Sequence, residues 1–204
     1  MQHLVAAERR DLAAVLAGLT PQQWEAPSLC TGWRVREVVA HLSLPFRYSM
    51  PQVVLGIVRA RGSFDRMADR RARADAAELT TAQLTAAIGD NADFAWKPPG
   101  GGVAGALSHD VIHGLDITVA LGLPRQVPQD RLRIVLDGLA TPKRAKSMGV
   151  DLSGVELRAD DMDWSYGAGS PVTGRAQDLL LVLAGRTLPT GHLDGEASTR
   201  FAGA

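Results

Sequence analysis

One helix-sized stretch, residues 102–122, constrains the rest of the chain. At 100° per residue, Ala104, Ser108, Val111, Ile112, Leu115 and Val119 fall on one broad face. Gly102, Gly105, Ala106, His109, His113, Asp116 and Ala120 fall on the opposite face, where only the two imidazoles are bulky. A helix that is apolar on one side and small on the other is covered on both, so the pattern predicts a central helix. Its start is marked by the strongest breaker in the chain, Lys97-Pro98-Pro99-Gly100-Gly101-Gly102, and its end by Gly122.

His109 and His113 stand at i and i+4, which sets their Cβ atoms about 5–6 Å apart on one face. That separation suits two nitrogen ligands of one transition metal, and it equally suits two hydrogen-bonded helix histidines. Asp116 shares the face and could orient an imidazole from behind. Asp110 lies about 100° away around the helix and is set aside as a ligand. A third donor must come from elsewhere. His41 is the natural one: it lies at the edge of the Val35, Val38, Val39, Leu42 arc of a helix expected over 33–44, with Glu37 one turn before it. Glu37 is a candidate general base, or else the partner of Arg34 or Arg36 in a salt bridge.

Around these two helices the chain reads as mainly helical to about residue 140. Leu4, Ala7, Leu12, Val15, Leu16 and Leu19 form the stripe of a first helix. Thr20 with Gln23 and Thr80 with Gln83 are capping boxes, and Ser63 caps a highly charged helix expected over 64–79. Pro45 is expected to end or kink its helix, and a further helix is expected over 46–61. The run 129–139 is also read as a helix of this domain. After residue 150 the pattern changes. Residues 155–159 alternate as a half-buried strand, 162–166 and 171–173 read as strands around a hairpin turn at 167–170, and Thr173 caps a helix over 174–185. The organisation is therefore a helical domain, 1–140, and a small α+β unit, 150–204, too short for a core of its own and expected to dock on the bundle.

Twenty-two basic residues balance twenty-two acidic ones, so the chain as a whole carries no field for nucleic acid or membranes. A single cysteine, Cys30, excludes an internal disulfide framework, and neither a signal peptide nor a membrane span is evident, which predicts a cytoplasmic protein. Cys30 and the four tryptophans are read as packing residues, His3 and His192 as solvent-facing, and Asp160, Asp161 and Asp163 as a strand-end turn.

Residues Pro27 to Val35, followed by Val38-Val39-Ala40-His41-Leu42, resemble the N-terminal signature of the mycothiol-dependent maleylpyruvate isomerase family, within the wider DinB-like superfamily. Residues 109–116 and the trailing Ala120 to Pro124 resemble its second signature, and 157–169, 172–174 and 179–186 its small C-terminal domain. The resemblance implies a mainly α fold: a DinB-like four-helix bundle followed by a small α+β domain. It implies a divalent metal, usually zinc, held by His41, His109 and His113; neutral imidazole suits nickel or iron equally. In the isomerase the first of the i,i+4 pair is a glutamate, where this chain has His109; an all-histidine triad is the usual DinB-like arrangement. The isomerase also uses a C-terminal arginine, for which Arg186 is the candidate and Arg175 the runner-up. The implied activity is a mycothiol-dependent isomerisation or thiol S-transfer on a small electrophile. The residues alone leave open a non-catalytic metal- or ligand-binding module, a hydrolase using metal-bound water, and a homodimer.

Overall fold

The capping signals in the sequence set the helix starts. The computed structural model describes residues 1–203. Contacts divide the chain into two compact units, Met1–His113 and Gly114–Ala204.

The first unit holds α1 (Gln2–Ala17), α2 (Pro21–Trp24), α3 (Val35–Arg47), α4 (Met50–Arg59), α5 (Phe64–Glu78), α6 (Thr81–Gly89) and most of α7 (Gly102–Thr118). Thr20 and Thr80 each accept from the backbone of a glutamine three residues on, which returns the bond, so both capping boxes are formed. Ser63 caps α5. Helix α3 packs on α5 and α6, α1 on α6, and α4 on α5. Leu12, Leu16, Val35, Val38, Val39, Leu84, Ile88 and Leu107 fill the space between the helices. Helix α7 is buried on both faces: Ala106, Leu107, Val111, Leu115, Asp116 and Ile117 have no exposed surface.

Several boundaries differ from expectation: α7 stops at Thr118, short of Gly122, and the helix expected over 46–61 is confined to Met50–Arg59. Trp33 stays in the loop, and α3 begins at Val35, where the Glu37 carboxylate reaches back to accept from the Arg34 backbone N–H. Pro45 does not end α3, which runs two residues further to Arg47; the lost hydrogen bond falls on the His41 carbonyl, one turn back.

The second unit contains α8 (Gln129–Leu139), α9 (Pro142–Ser147), β1 (Val155–Ala159), β2 (Ser165–Gly167), β3 (Ser170–Gly174), α10 (Ala176–Leu183), β4 (Leu193–Asp194) and a 3-10 turn, Glu196–Arg200. The sheet order is β2-β1-β3-β4. β1 is antiparallel to β2 and parallel to β3, with Leu157 opposite both Tyr166 and Val172. The expected turn at 167–170 is present, but β2 and β3 flank β1 instead of pairing with each other. Gly169 permits this, since a Cβ there would lie 2.1 Å from the Gly154 carbonyl oxygen. Helix α10 starts at Ala176, with Arg175 and not Thr173 at its N-cap, and packs on β1, β3 and α8. Helix α8, assigned by sequence to the first domain, therefore builds the core of the second unit with Leu179, Leu180 and Leu183. No helix among the described residues is long and apolar enough to cross a membrane.

Candidate metal centre

His41 comes from the second half of α3, and His109 and His113 from successive turns of α7. One donor atom from each lies within 4.8 Å of the others. The ring centroids form a nearly equilateral triangle, with sides of 4.9, 5.0 and 5.1 Å. His109 Nε2 lies 3.2 Å from His41 Nε2. Two nitrogens bound tetrahedrally to zinc at about 2.05 Å stand roughly 3.3 Å apart, so this spacing fits a common metal.

The far side of each α7 imidazole is also engaged. His109 Nδ1 is 2.9 Å from Asp110 Oδ1, and the other Asp110 oxygen accepts from Arg9 Nε at 2.7 Å. Arg9 and Asp110 are both buried. Arg9 Nη1 donates further to the carbonyls of Asn91, Ala92 and Phe94, at 3.3, 3.3 and 2.8 Å. A carboxylate facing Nδ1 holds the proton on that nitrogen and leaves Nε2 free to ligate. His113 Nδ1 meets the Cys30 sulfur at 3.7 Å.

Loop 28–33 is fixed from three sides. Ser28 Oγ donates to the Trp33 carbonyl at 2.8 Å, Trp33 Nε1 donates to Asp69 Oδ1 at 2.7 Å, and Arg73 bridges Asp69 and the Gly32 carbonyl. The Trp33 ring then lies 5.1 Å from His41, and Trp96 lies 5.2 Å from His109. Trp24 and Trp164 are buried packing residues, as expected; Trp33 and Trp96 instead flank the imidazoles.

Glu37 serves the N-terminus of α3. Its carboxylate accepts from the Arg34 backbone N–H at 2.8 Å and from Arg34 Nε at 3.0 Å, and it also pairs with the end of that guanidinium. Burial works against the charge on Glu37, but the hydrogen bonds and charge of Arg34 together outweigh it and hold the carboxyl below its usual range. In the second unit, Arg186 donates to both oxygens of the buried Asp116, at 2.8 and 3.0 Å, and to the Ala184 carbonyl. His192 is half-buried and lies 3.3 Å from Asp178, against the solvent-facing position expected for it. Asp161 accepts from the Ala176 N–H, so that aspartate cluster includes a helix cap.

Two residues matter here beyond the sequence expectations: Arg9, which was not among them, and Asp110, which was set aside as a ligand and instead meets His109 from behind. Arg9 had a signal: it continues the buried row Val5, Leu12, Leu16 of α1, where an arginine needs a buried partner. Asp110 had none on a helical wheel, because it reaches His109 sideways along the helix.

An uncharacterized protein of Mycobacterium tuberculosis, found in two strains, is 28% identical over 96% of this chain and 90% of its own length. The crystal structure of the mycothiol-dependent maleylpyruvate isomerase superposes with a TM-score of 0.58 at 14% identity, over 97% of this chain and 92% of that one. A histidine-to-alanine mutant of that isomerase gives 0.59 at 13%. These solved structures share the fold. The family model described as the mycothiol maleylpyruvate isomerase N-terminal domain matches residues 5–117, more than half of the chain and the segment that carries all three histidines. This chain belongs to the mycothiol maleylpyruvate isomerase family.

Proposed function

We propose that the chain is a metal-dependent enzyme that uses mycothiol as a thiol cosubstrate to isomerise, or transfer sulfur to, a small electrophile. The observation that carries this reading is the convergence of His41, His109 and His113, with an Nε2–Nε2 spacing matched to one metal ion. His41, His109 and His113 would hold a divalent metal as neutral imidazoles, and the metal would supply an open position at which the pKa of a thiol or water is lowered. Zinc suits the donor set, and nickel or iron accept the same nitrogens.

The other groups prepare that position. Asp110, held by Arg9, keeps the proton of His109 on Nδ1 and turns Nε2 inward. Trp33 and Trp96 set indoles beside two of the imidazoles and provide apolar walls for a sulfur nucleophile and a small unsaturated substrate. Because the cosubstrate brings the sulfur, Cys30 need not be a nucleophile. Arg186, held by Asp116, is our candidate for binding a substrate carboxylate, and Arg186→Lys tests it through a rise in KM. Glu37 we assign to positioning α3 and hence His41, because its oxygens are taken by Arg34.

The test is metal content by plasma mass spectrometry on protein purified without chelator or nickel resin, together with His113→Ala. About one divalent metal per chain, lost in the variant, is expected, followed by mycothiol-dependent turnover of maleylpyruvate or other small electrophiles. Absence of metal after zinc is supplied would overturn the reading. Chelator-sensitive hydrolysis that needs no thiol would replace it with a hydrolase.

A further inference from the structure

The sequence places an apolar run, residues 53–58, directly before the arginine-dense start of α5, and neither takes part in the metal centre. In the structure α4 buries none of its residues. Met50, Val54 and Val58 form one i, i+4, i+8 row, with Leu55 beside it and Phe64 just past the following turn. All five are between 47 and 67% exposed. Contiguous apolar surface of this kind marks a docking face. The helix is held from behind: Gly56 sits so close to α5 that a Cβ there would lie 2.8 Å from Met67 Cγ.

Next to this face is a concavity of about 550 Å³ lined by Arg59, Ala60, Arg61, Arg66 and Arg70. Arg66 is pinned to the carbonyls of Ala60 and Arg61 at 3.0 and 3.2 Å, and Arg70 to that of Arg59 at 3.5 Å. These bonds orient the Arg66 and Arg70 guanidiniums without neutralising them, and among the described residues no ion pair joins a carboxylate to any of the four. From residue 59 to 73 the chain has six arginines against two aspartates, a local excess of four positive charges in a chain whose total is zero. The chain-wide balance hides this asymmetry.

We propose that α4 and the arginine concavity dock the protein on an anionic phospholipid surface. The arginines take the phosphate headgroups, and Met50, Val54, Leu55, Val58 and Phe64 enter the acyl boundary. An exposed apolar row rimmed by guanidiniums with no carboxylate partner is complementary to that boundary. It is less suited to self-pairing, in which each copy would bring the same positive excess to the other.

The experiment is co-sedimentation of the full chain with vesicles of phosphatidylglycerol and phosphatidylcholine in equal parts, and with phosphatidylcholine alone. Binding to the first only, weakening as salt is raised, is expected. Arg59→Gln and Arg61→Gln should each lower partitioning about fivefold, and Val54→Ser with Val58→Ser about tenfold. All four positions are exposed, so far-UV circular dichroism should be unchanged, and metal content should be unchanged too. No binding to anionic vesicles at low salt would overturn the proposal. So would a Val58-dependent dimer by light scattering with no vesicle binding, or binding of inorganic phosphate alone that ignores the valine substitutions.

Discussion

Asp110→Asn probes the proposed metal centre through the residue that no helical wheel pointed to. The wild-type carboxylate accepts twice, from His109 Nδ1 at 2.9 Å and from Arg9 Nε at 2.7 Å. An asparagine has one oxygen and one NH2 in the same space, so it can serve only one of these donors. If the oxygen faces His109, the NH2 confronts the Arg9 N–H, and a buried ion pair is lost. Breaking such a pair costs about 3–5 kcal/mol. The lower end applies here, because Arg9 keeps its three carbonyls on the 91–94 turn. If the NH2 faces His109, the imidazole must move its proton to Nε2, the nitrogen needed by the metal. Metal affinity then falls about 10- to 100-fold, or about 1.4–2.7 kcal/mol. Urea unfolding of the metal-free protein reads the first cost, and zinc competition against a chromogenic chelator reads the second. At least one must change by these amounts. Unaltered stability together with unaltered zinc affinity would refute the Arg9–Asp110–His109 linkage.

Other substitutions test neighbouring parts of the structure. Arg186→Gln should destabilise more than Asp116→Asn, because it leaves a fully buried carboxylate without its guanidinium, while Arg186 in the reverse case is 23% exposed and can turn to water; chemical denaturation of the pair gives the order. Glu37 ionises more readily folded than unfolded, so its contribution is complete above the ordinary glutamate pKa of about 4.3 and is lost as pH falls below it. Glu37→Gln should therefore flatten the acid limb of the stability curve and leave the neutral-to-basic limb unchanged in shape. Leu107→Ala, at a position with no exposed surface on α7, should cost about 2–5 kcal/mol in urea unfolding. Trp33→Phe deletes the 2.7 Å bond to Asp69 and should cost about 1 kcal/mol, together with part of any tryptophan fluorescence change on zinc binding.

The sequence carried the helices better than their partners. Periodicity located residues 129–139 as a helix, but a 3.6-residue period says which face is buried and not against what. Packing of α8 on α10 was therefore invisible. The same holds for the sheet: Gly167-Ala168-Gly169-Ser170 was legible as a turn, yet alternation cannot say that β3 returns parallel to β1. Helix α9 escaped because its six residues are mostly polar or charged and offer no stripe. Pro45 misled in the other direction, since α3 absorbs one missing hydrogen bond near its end. At the candidate metal centre, spacing and the family signatures marked the three histidines. They could not mark Asp110 or the Cys30 contact to His113, which depend on side-chain direction and on a loop closed by Asp69 and Arg73.

The reach of the Arg9 guanidinium also bears on when the site comes into being. Arg9 and Asp110 are 101 residues apart in sequence, and His41 and His109 are 68 apart. Contacts of such span wait for loop closure, while individual helices form in about a microsecond. During synthesis, residues up to 80 emerge before either α7 histidine is available. The centre can close only after the last of its helices is free, and α1 must still be in place to secure it. Metal capture at the proposed centre would thus report completed folding of the N-terminal unit, and in refolding with cobalt the ligand-field colour should lag behind the recovery of helix.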